Sequence, residues 1–536
     1  MNVSELFVRC LEKEGVDTIF GIPGEENLPL LEALTHSSIK FITTRDERGA
    51  SFMANAWGRL RKKPGVCLST LGPGATNMMT GIADALLDFS PLVAITAQVP
   101  LSKIHEEYHQ YIDVLSLMKQ ITKWNARIEP HSVSEIVSKA FRISMTEKWG
   151  PCHLELNEDI AESKVEGQPL EPIEYKYPEV SPELIKKAIR MLEEAHQPVI
   201  IAGNGVIRAQ ATQELKGFAE KAGIPVFTTF MGAGAMPADS ELFISPIGLQ
   251  SKDYVNCGIE RADLIMAIGF DPVEFSPEFW HDAKVIHIST VPAEISSHYK
   301  VQIDLCGDIK NTLSQLAESI ISTKDPYYYL RLRELSYQEF DDRGFPLKPL
   351  RIVNEIRNVL GRKDILISDV GAHKIWIGRF YRVYEPDTLI ISNGLSSMGF
   401  AIPAAIVAKM LNPERNVIAA VGDGGLLMSL AELETAKRLG VKLTIVLFND
   451  SGYGLISWKE LIKYGRTFYV DFENPDFVKL AHAFGMEGYR VEKEDDLSLI
   501  LRNSFGHKES VLIDCPVDYR ENLKLTERLG SIICPV

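Results

Sequence analysis

Residues 416–454 read NVIAAVGDGGLLMSLAELETAKRLGVKLTIVLFNDSGYG. Two apolar runs, NVIAAVG and KLTIVLFN, have the length and β-branched content of buried strands, and each leads into an acid, Asp423 or Asp450. The stretch between them, Leu426 to Leu439, has helical character. Strand, helix and strand in that order form a parallel βαβ unit, which brings both strand carboxyl ends to one edge of a sheet. Asp423 and Asp450 are therefore expected to converge despite the helix that separates them. Converging hard oxygens suit Mg²⁺, which takes octahedral oxygen ligation completed by phosphate oxygens and water. Gly422, Gly424 and Gly425 flank the first acid, allow close backbone approach, and leave amide donors at a helix start where a diphosphate would bind. The plainer alternative is that Asp423 caps the helix and Asp450 belongs to a Ser-Gly turn. A lone Gly-Asp-Gly favours that alternative; the second strand-end acid favours the metal.

Working outward, the same alternation fills a block from about Leu350 to Asp518, with strands in DILISDVG, TLIISNG, NVIAAVGD, KLTIVLFND and SVLIDCPVD. An N-terminal block alternates likewise through DTIFGIP, KFITTRDE, GVCLSTLGPG, PLVAITAQ and PCHLELNED, and a middle block through PVIIAG, IPVFTTF, ADLIMAIG and KVIHIST. Such alternation predicts α/β architecture with mostly parallel, doubly wound sheets. The polar, Pro-containing stretch Val165 to Pro182 separates the first two blocks and reads as a linker; Ser322 to Pro349 reads as a helical connector. Three domains are expected, 1–164, 182–321 and 350–520, in keeping with about three cores of ordinary size for this length. The first and third blocks share a strand-helix grammar without evident sequence identity.

The composition, 45% hydrophobic and 24% charged, is that of a globular chain. A net charge of -15 offers no basic field for a polyphosphate backbone or an anionic bilayer, so neither nucleic acid nor membrane is an expected partner. No run of about 20 uncharged apolar residues is present. The N-terminal Val3, Leu6, Phe7, Cys10 and Leu11 fall at helical spacing with charges between them, unlike a signal peptide. The seven scattered cysteines contain no Cys-x-x-Cys pair; they read as reduced, mostly buried thiols in a cytoplasmic protein.

The segment 416–454 resembles the thiamine diphosphate signature, in which Gly-Asp-Gly is followed at a fixed interval by Asn-Asn or Asn-Asp before a glycine turn. On that resemblance the domains have the thiamine diphosphate-binding fold, Asp423 and Asp450 are metal ligands, the carbonyl of Gly452 completes the protein ligation, and Asn449 keeps its usual place. Asp450 stands where most members carry Asn, a departure shared by acetolactate synthases of the catabolic type. The run KFITTRDERGASFMANAWGRL resembles the segment whose glutamate, here Glu47, hydrogen-bonds N1′ of the cofactor pyrimidine and activates it. An isolated Glu at a helix start is otherwise explained by the helix dipole. Asp46 precedes it where the family commonly has His. SNGLSSMGFAIPAA resembles the region that bends the cofactor, making Met398 the apolar wedge between its rings, although Met is otherwise a core filler. GAHKIW makes His373 a candidate diphosphate contact, with a surface or helix-capping role as the alternative.

STLGPGATNMMTGIADALLDFSPLVAITAQVP also resembles the family; Gly72, Pro73 and Gly74 would shape the substrate side and Gln98 would reach the reacting region. HQYIDV resembles the Phe-Gln-x-x-Asp segment of acetolactate synthases, with Gln110 retained and His109 in place of Phe. In the middle block Arg208 takes the third position of a Gly-x-Gly-x-x-Gly fingerprint begun by Gly203 and Gly205, which disfavours dinucleotide binding. AIGFDPVEFSPEFW resembles the flavin-free catabolic enzymes, so FAD is not expected. PVDYRENLKL carries the likeness almost to the C-terminus.

The resemblance implies an acetolactate synthase that decarboxylates pyruvate and joins the hydroxyethyl unit to a second 2-keto acid to give 2-acetolactate. The acceptor could be pyruvate or another 2-keto acid, and the product would serve branched-chain amino acid or acetoin biosynthesis. It further implies a homodimer or homotetramer with active sites between subunits. Another thiamine diphosphate-dependent decarboxylase, carboligase or acetyltransferase shares Glu47 and the metal motif and stays open. A noncatalytic subunit with the same fold is disfavoured by the joint presence of Glu47, Asp423 and Asp450.

Overall fold

The computed structural model describes residues 1–173, 175–248, 255–280, 283–321, 323–336, 342–523 and 525. The chain divides into two compact units. The first comprises Met1–Tyr175, Gly394–Pro413 and Leu426–Leu443; the second comprises Lys176–Asn393, Glu414–Gly425 and Thr444–Val536, so far as these are described.

The first unit is built on a six-stranded sheet of β1 (Thr18–Gly21), β2 (Lys40–Thr43), β3 (Gly65–Ser69), β4 (Leu92–Gln98), β5 (Trp124–Arg127) and β6 (Pro151–Asn157), ordered β2-β1-β3-β4-β6-β5. Every pairing is parallel. β3, β4 and β6 are buried along their whole length, and β3 and β4 accordingly read as mostly apolar runs. The helix Val3–Lys13 turns all five of the periodic residues Val3, Leu6, Phe7, Cys10 and Leu11 into the core, and Asn2 starts it with a capping box.

The second unit holds two further six-stranded parallel sheets. One contains β7 (Pro198–Ala202), β8 (Val226–Thr228), β9 (Phe243–Pro246), β10 (Leu264–Ile268), β11 (Lys284–Ser289) and β12 (Val301–Cys306), ordered β12-β11-β10-β7-β8-β9. The other contains β13 (Ile365–Ser368), β14 (Leu389–Ile391), β15 (Val417–Gly422), β16 (Thr444–Asn449), β17 (Glu487–Arg490) and β18 (Val511–Pro516), ordered β14-β13-β15-β16-β18-β17. Strand for strand, that is the winding of the first sheet. The α/β, doubly wound, parallel architecture expected from the sequence is thus present in all three sheets.

Two details differ from the reading above, and the helical connector agrees with it. The helix expected over 426–439 is two helices, Asp423–Met428 and Glu432–Arg438. Between them the N–H groups of Glu432 and Leu433 return to the carbonyls of Ser429 and Leu430, both at 3.1 Å, a tighter i to i+3 pattern that breaks the α-helical run. The connector contains one helix, Tyr327–Ser336; Ser322 and residues 337–341 lie outside the described residues. Cys10, Cys67, Cys152, Cys306 and Cys515 are free as expected, but Cys257 is disulfide-bonded, which corrects its assignment as a thiol; Cys534 lies outside the described residues.

Candidate active site

In the third sheet β15 and β16 are neighbours with Gly422 opposite Phe448, so the residues that follow them emerge at the same edge. Asp423 is buried at that edge. Its Oδ1 accepts the N–H of Gly424 at 2.9 Å, and its Oδ2 accepts the N–H of Ser451 and the Nδ2 of Asn474, both at 2.8 Å. Asp423 is thus tied to the turn after β16, and the two strand ends converge as the βαβ geometry requires. Burial raises the Asp423 carboxyl, opposed by Asn474 and the amides of Gly424, Ser451 and Gly452. Asp450 is pushed up to about 8, first by burial, then by the negative charge of Asp423 and, less, of Asp471. Two carboxylates repel each other here, and the described residues place no Lys or Arg ion pair on either. Among the described residues no three His, Cys, Asp or Glu side chains group as a metal site, so a cation here would rest on two acids plus backbone and solvent oxygens.

The surrounding residues serve this edge. Asn449 donates from Nδ2 to Oδ1 of Asp514 on β18 at 2.8 Å, which pins the strand end one residue before Asp450. A Cβ on Gly454 would lie 2.4 Å from Oδ2 of Asp450, and one on Gly425 would lie 2.6 Å from Oδ2 of Asp369, so both carboxylates occupy room that only glycine leaves. His373 stacks on Phe448, with ring centroids 5.2 Å apart, and lies against Gly422. Burial lowers its pKa to about 3, so its ring is neutral, and Nε2 is buried without a partner. His373 is therefore neither a surface residue nor exposed to bulk water. Asn474 had no signal in the sequence. It joins Asp423 to Asn449, whose Oδ1 accepts from it at 3.0 Å, while its own Oδ1 is buried without a partner. Gly452 follows Asp450 by two residues and bridges to Asp471.

The remaining candidates stand in the first unit. Glu47 is the first residue of the helix Glu47–Arg61, with Asp46 as its N-cap accepting from the N–H of Arg48 at 2.7 Å. Asp46 therefore serves the helix end, where a polar residue satisfies an otherwise orphaned amide. The Glu47 carboxylate is buried, and its Oε2 accepts Nδ2 of Asn77 at 3.0 Å. Asn77 lies one turn into the helix Pro73–Leu87, which Gly72 caps with φ +51. A Cβ on Gly74 would meet Oε1 of Glu47 at 3.2 Å, and one on Gly72 would meet the Gln110 carbonyl at 2.6 Å. Gly72, Gly74, Glu47 and Gln110 are thus brought together. Gln110 is exposed with φ +55, and His109 is exposed beside it.

Gln98 is not free to project. Its Nε2 donates to the Ile112 carbonyl at 3.1 Å and to Glu155 at 3.4 Å, and its Oε1 accepts the N–H of Val99 at 3.0 Å. It anchors the loop that carries Gln110. Met398 is half-buried in the turn before the helix Ala401–Leu411, and Gly399 after it has φ +89.

In the middle sheet, Gly203 and Gly205 pack onto Gly269: a Cβ on either would lie 2.4 to 2.6 Å from the Gly269 backbone. Arg208 is buried and pairs with Asp271 at 3.1 Å. Glu274 accepts the N–H of Asn204 at 3.1 Å and the hydroxyl of Thr229, and burial with the Asp271 charge pushes it up to about 8. At the ends of β7 and β10, where an open α/β sheet would take a nucleotide, the Gly203, Gly205 and Gly269 backbones pack together beside the buried Arg208, Asp271 and Glu274.

Three family models cover the chain in order: thiamine pyrophosphate enzyme N-terminal TPP binding domain over residues 1–117, central domain over 185–316, and C-terminal TPP binding domain over 369–515. These matches, with the fold above, define a thiamine pyrophosphate enzyme. The chain is 36% identical to a probable acetolactate synthase large subunit of Methanocaldococcus jannaschii, a match covering 100% of this chain and 96% of that protein. It is 34% identical to the acetolactate synthase of Bacillus subtilis, over 97% and 94%. It is 33% identical to the catabolic acetolactate synthase of Raoultella terrigena, over 98% and 97%. The chain belongs to the acetolactate synthase family of thiamine pyrophosphate enzymes. Among the described residues, no helix is long and apolar enough to cross a membrane.

Proposed function

We propose that the protein is a cytoplasmic acetolactate synthase that uses thiamine diphosphate and Mg²⁺ to decarboxylate pyruvate and joins the resulting two-carbon unit to a second 2-keto acid, giving 2-acetolactate. The observation that carries the cofactor assignment is the pair Asp423 and Asp450: two carboxylates at adjacent strand ends, mutually repelling, in the part of the chain matched as a TPP binding domain. A divalent cation relieves that repulsion and in turn binds phosphate oxygens, so the donors present fit Mg²⁺ and a diphosphate. In this reading Asp423, Asp450 and the Gly452 carbonyl are the protein's metal ligands. Asn474 and Asn449 hold the two acids in register, and His373, neutral with an open Nε2, faces the diphosphate together with Gly422, Gly424 and Gly425. Bound thiamine diphosphate supplies the carbon nucleophile and the electron sink for decarboxylation.

Glu47 is assigned the proton-handling role at the pyrimidine N1′, with Asn77 fixing which carboxylate oxygen is left for it. Gly72, Gly74 and Gln110 form the substrate side, Gln98 supports the Gln110 loop, and Met398 is the apolar wedge beneath the cofactor rings. FAD is not part of the proposal; the packed Gly203, Gly205 and Gly269 and the buried Glu274 support its omission. The domains proposed are 1–164, 182–321 and 350–520, and the assembly proposed is a homodimer or homotetramer with active sites between subunits.

Purified protein supplied with Mg²⁺, thiamine diphosphate and pyruvate, without FAD, is expected to release carbon dioxide and accumulate acetolactate. Acetaldehyde as the main product would assign it instead as a simple decarboxylase.

A further inference from the structure

Three contacts join residues 43–49 to residues 428–438 within the first unit. The guanidinium of Arg48 donates to the Met428 carbonyl, and that of Arg438 donates to the Thr43 carbonyl. The third contact is Glu432, fully buried at the start of the helix Glu432–Arg438. Its Oε1 accepts two backbone N–H groups, those of Arg45 and Asp46, each at 3.0 Å, and its Oε2 accepts the Thr435 hydroxyl at 2.6 Å.

Arg45 and Asp46 are the two residues immediately before Glu47. Amides at a helix start have no intrahelical acceptor, and the side chain of Asp46 already serves the N–H of Arg48. Glu432 supplies the acceptor for the N–H of the cap residue Asp46 and for that of Arg45 before it, and the positive end of the helix dipole favours its charge there. Burial raises its carboxyl, while Thr435 and the Arg45 and Asp46 amides act in the opposite sense. The entry of this side chain depends on Gly49: a Cβ there would lie 2.4 Å from Oε1 and 2.8 Å from Cδ of Glu432. The chain thus leaves a glycine in the first turn of the helix, directly against the carboxylate that braces it.

We infer that Glu432 is a positioning residue for Glu47: by holding both amides that precede it, Glu432 fixes the backbone from which the activating carboxylate projects. This rests on the reading of Glu47 given under the proposed function. Removing Glu432 leaves the N–H groups of Arg45 and Asp46 without this acceptor and frees the turn between β2 and the helix. Displacement of a reacting group by an ångström costs about 10²-fold in rate, so the effect should fall on proton removal rather than on cofactor affinity.

The test uses the full-length holoenzyme and follows exchange of the C2 proton of the bound cofactor in D₂O by acid quench and proton NMR, alongside thiamine diphosphate affinity by tryptophan fluorescence and thermal melting. Glu432→Ala is expected to slow exchange by about 10²-fold with affinity unchanged. Glu432→Gln, whose amide oxygen still accepts both N–H groups, is expected to recover most of the rate. Wild-type exchange in Glu432→Ala would overturn the inference, as would a Gln variant as slow as Ala, because charge and not placement would then be what matters. Should Ala fail to fold, Glu432→Asp decides: its carboxylate falls short of the two amides, so slowed exchange supports the inference and an unchanged rate overturns it. Glu47→Gln is the control that separates the two claims. If it exchanges slowly while Glu432→Ala or Asp does not, only the role of Glu432 is lost; if it exchanges at the wild-type rate, the reading of Glu47 fails and takes the inference with it.

Discussion

Asn77 donates from Nδ2 to Oε2 of Glu47 at 3.0 Å, so one oxygen of that buried carboxylate is committed inside the fold and the other, Oε1, lies toward Gly74. The pair comes from the first residue of one helix and the second turn of its neighbour, which orients the carboxylate. Hydrogen bonds to charged groups contribute about 1.5–3 kcal/mol, so Asn77→Ala should lower kcat by at least about tenfold while KM for pyruvate changes little. Steady-state kinetics of the variant checks this, and an unchanged kcat removes Asn77 from the site.

Glu47→Gln keeps the shape of the side chain and the start of its helix but loses the carboxylate. It should retain the cofactor and lose about 10²- to 10⁴-fold in turnover, the range for a displaced acid-base group. Equilibrium dialysis with thiamine diphosphate and turnover measured on the same preparation separate the two effects.

At the edge where β15 and β16 end, the two acids are not equivalent. Asp423 accepts from Gly424, Ser451 and Asn474, whereas Asp450 carries the cost of the shared negative charge. Asp423→Ala should weaken Mg²⁺-dependent cofactor retention by at least about tenfold, since even outer partners of a metal site matter on that scale. Asp450→Asn keeps an oxygen ligand and removes the repulsion, so it should still bind cofactor and turn over. Isothermal titration with Mg²⁺ after chelator treatment reads both. A dead Asp450→Asn beside an active Asp423→Ala would reverse the assignment.

Glu274 offers a test by pH. Burial first, and then the Asp271 charge, move its carboxyl from an ordinary 4.5 to about 8, with Thr229, Arg208 and the Asn204 amide pulling the other way. Between those two values the folded protein holds a proton that the unfolded chain has released, so stability falls as pH rises through this window. Glu274→Gln should flatten that slope, raising the melting temperature relative to wild type at pH 8 more than at pH 5. Parallel melting curves across the window would show that Glu274 does not carry the buried proton.

Much of this was legible in the primary structure, and the omissions have a common cause. The strands legible in the sequence include the interior ones such as β4 and β16, which are buried on both faces along nearly all their length and therefore mostly apolar. The four strands missed, β5, β9, β12 and β17, all lie at sheet edges. β5 and β17 are only half-buried, so WNAR and EGYR give no apolar run, and β9 is brief and ends in proline. At the site, Asp423 and Asp450 were visible because strand ends can be placed from pattern alone. Asn77, Asn474 and Glu432 were not, because each acts on a residue distant in sequence and is an ordinary polar residue where it stands. The place of Gln98 near the reacting region is implied by the family resemblance, and its bonds to Ile112 and Glu155 have no signal in the sequence.

The first and third sheets share one winding, and their candidate loops correspond: Glu47 follows β2 as Met398 follows β14, Gly72 and Gly74 follow β3 as Gly424 and Gly425 follow β15, and Gln98 ends β4 where Asn449 ends β16. Duplication of a single module would leave such a trace, a common winding with corresponding loops. On the proposed function, the first sheet would carry the loops that handle a proton and the third those that grip an anion.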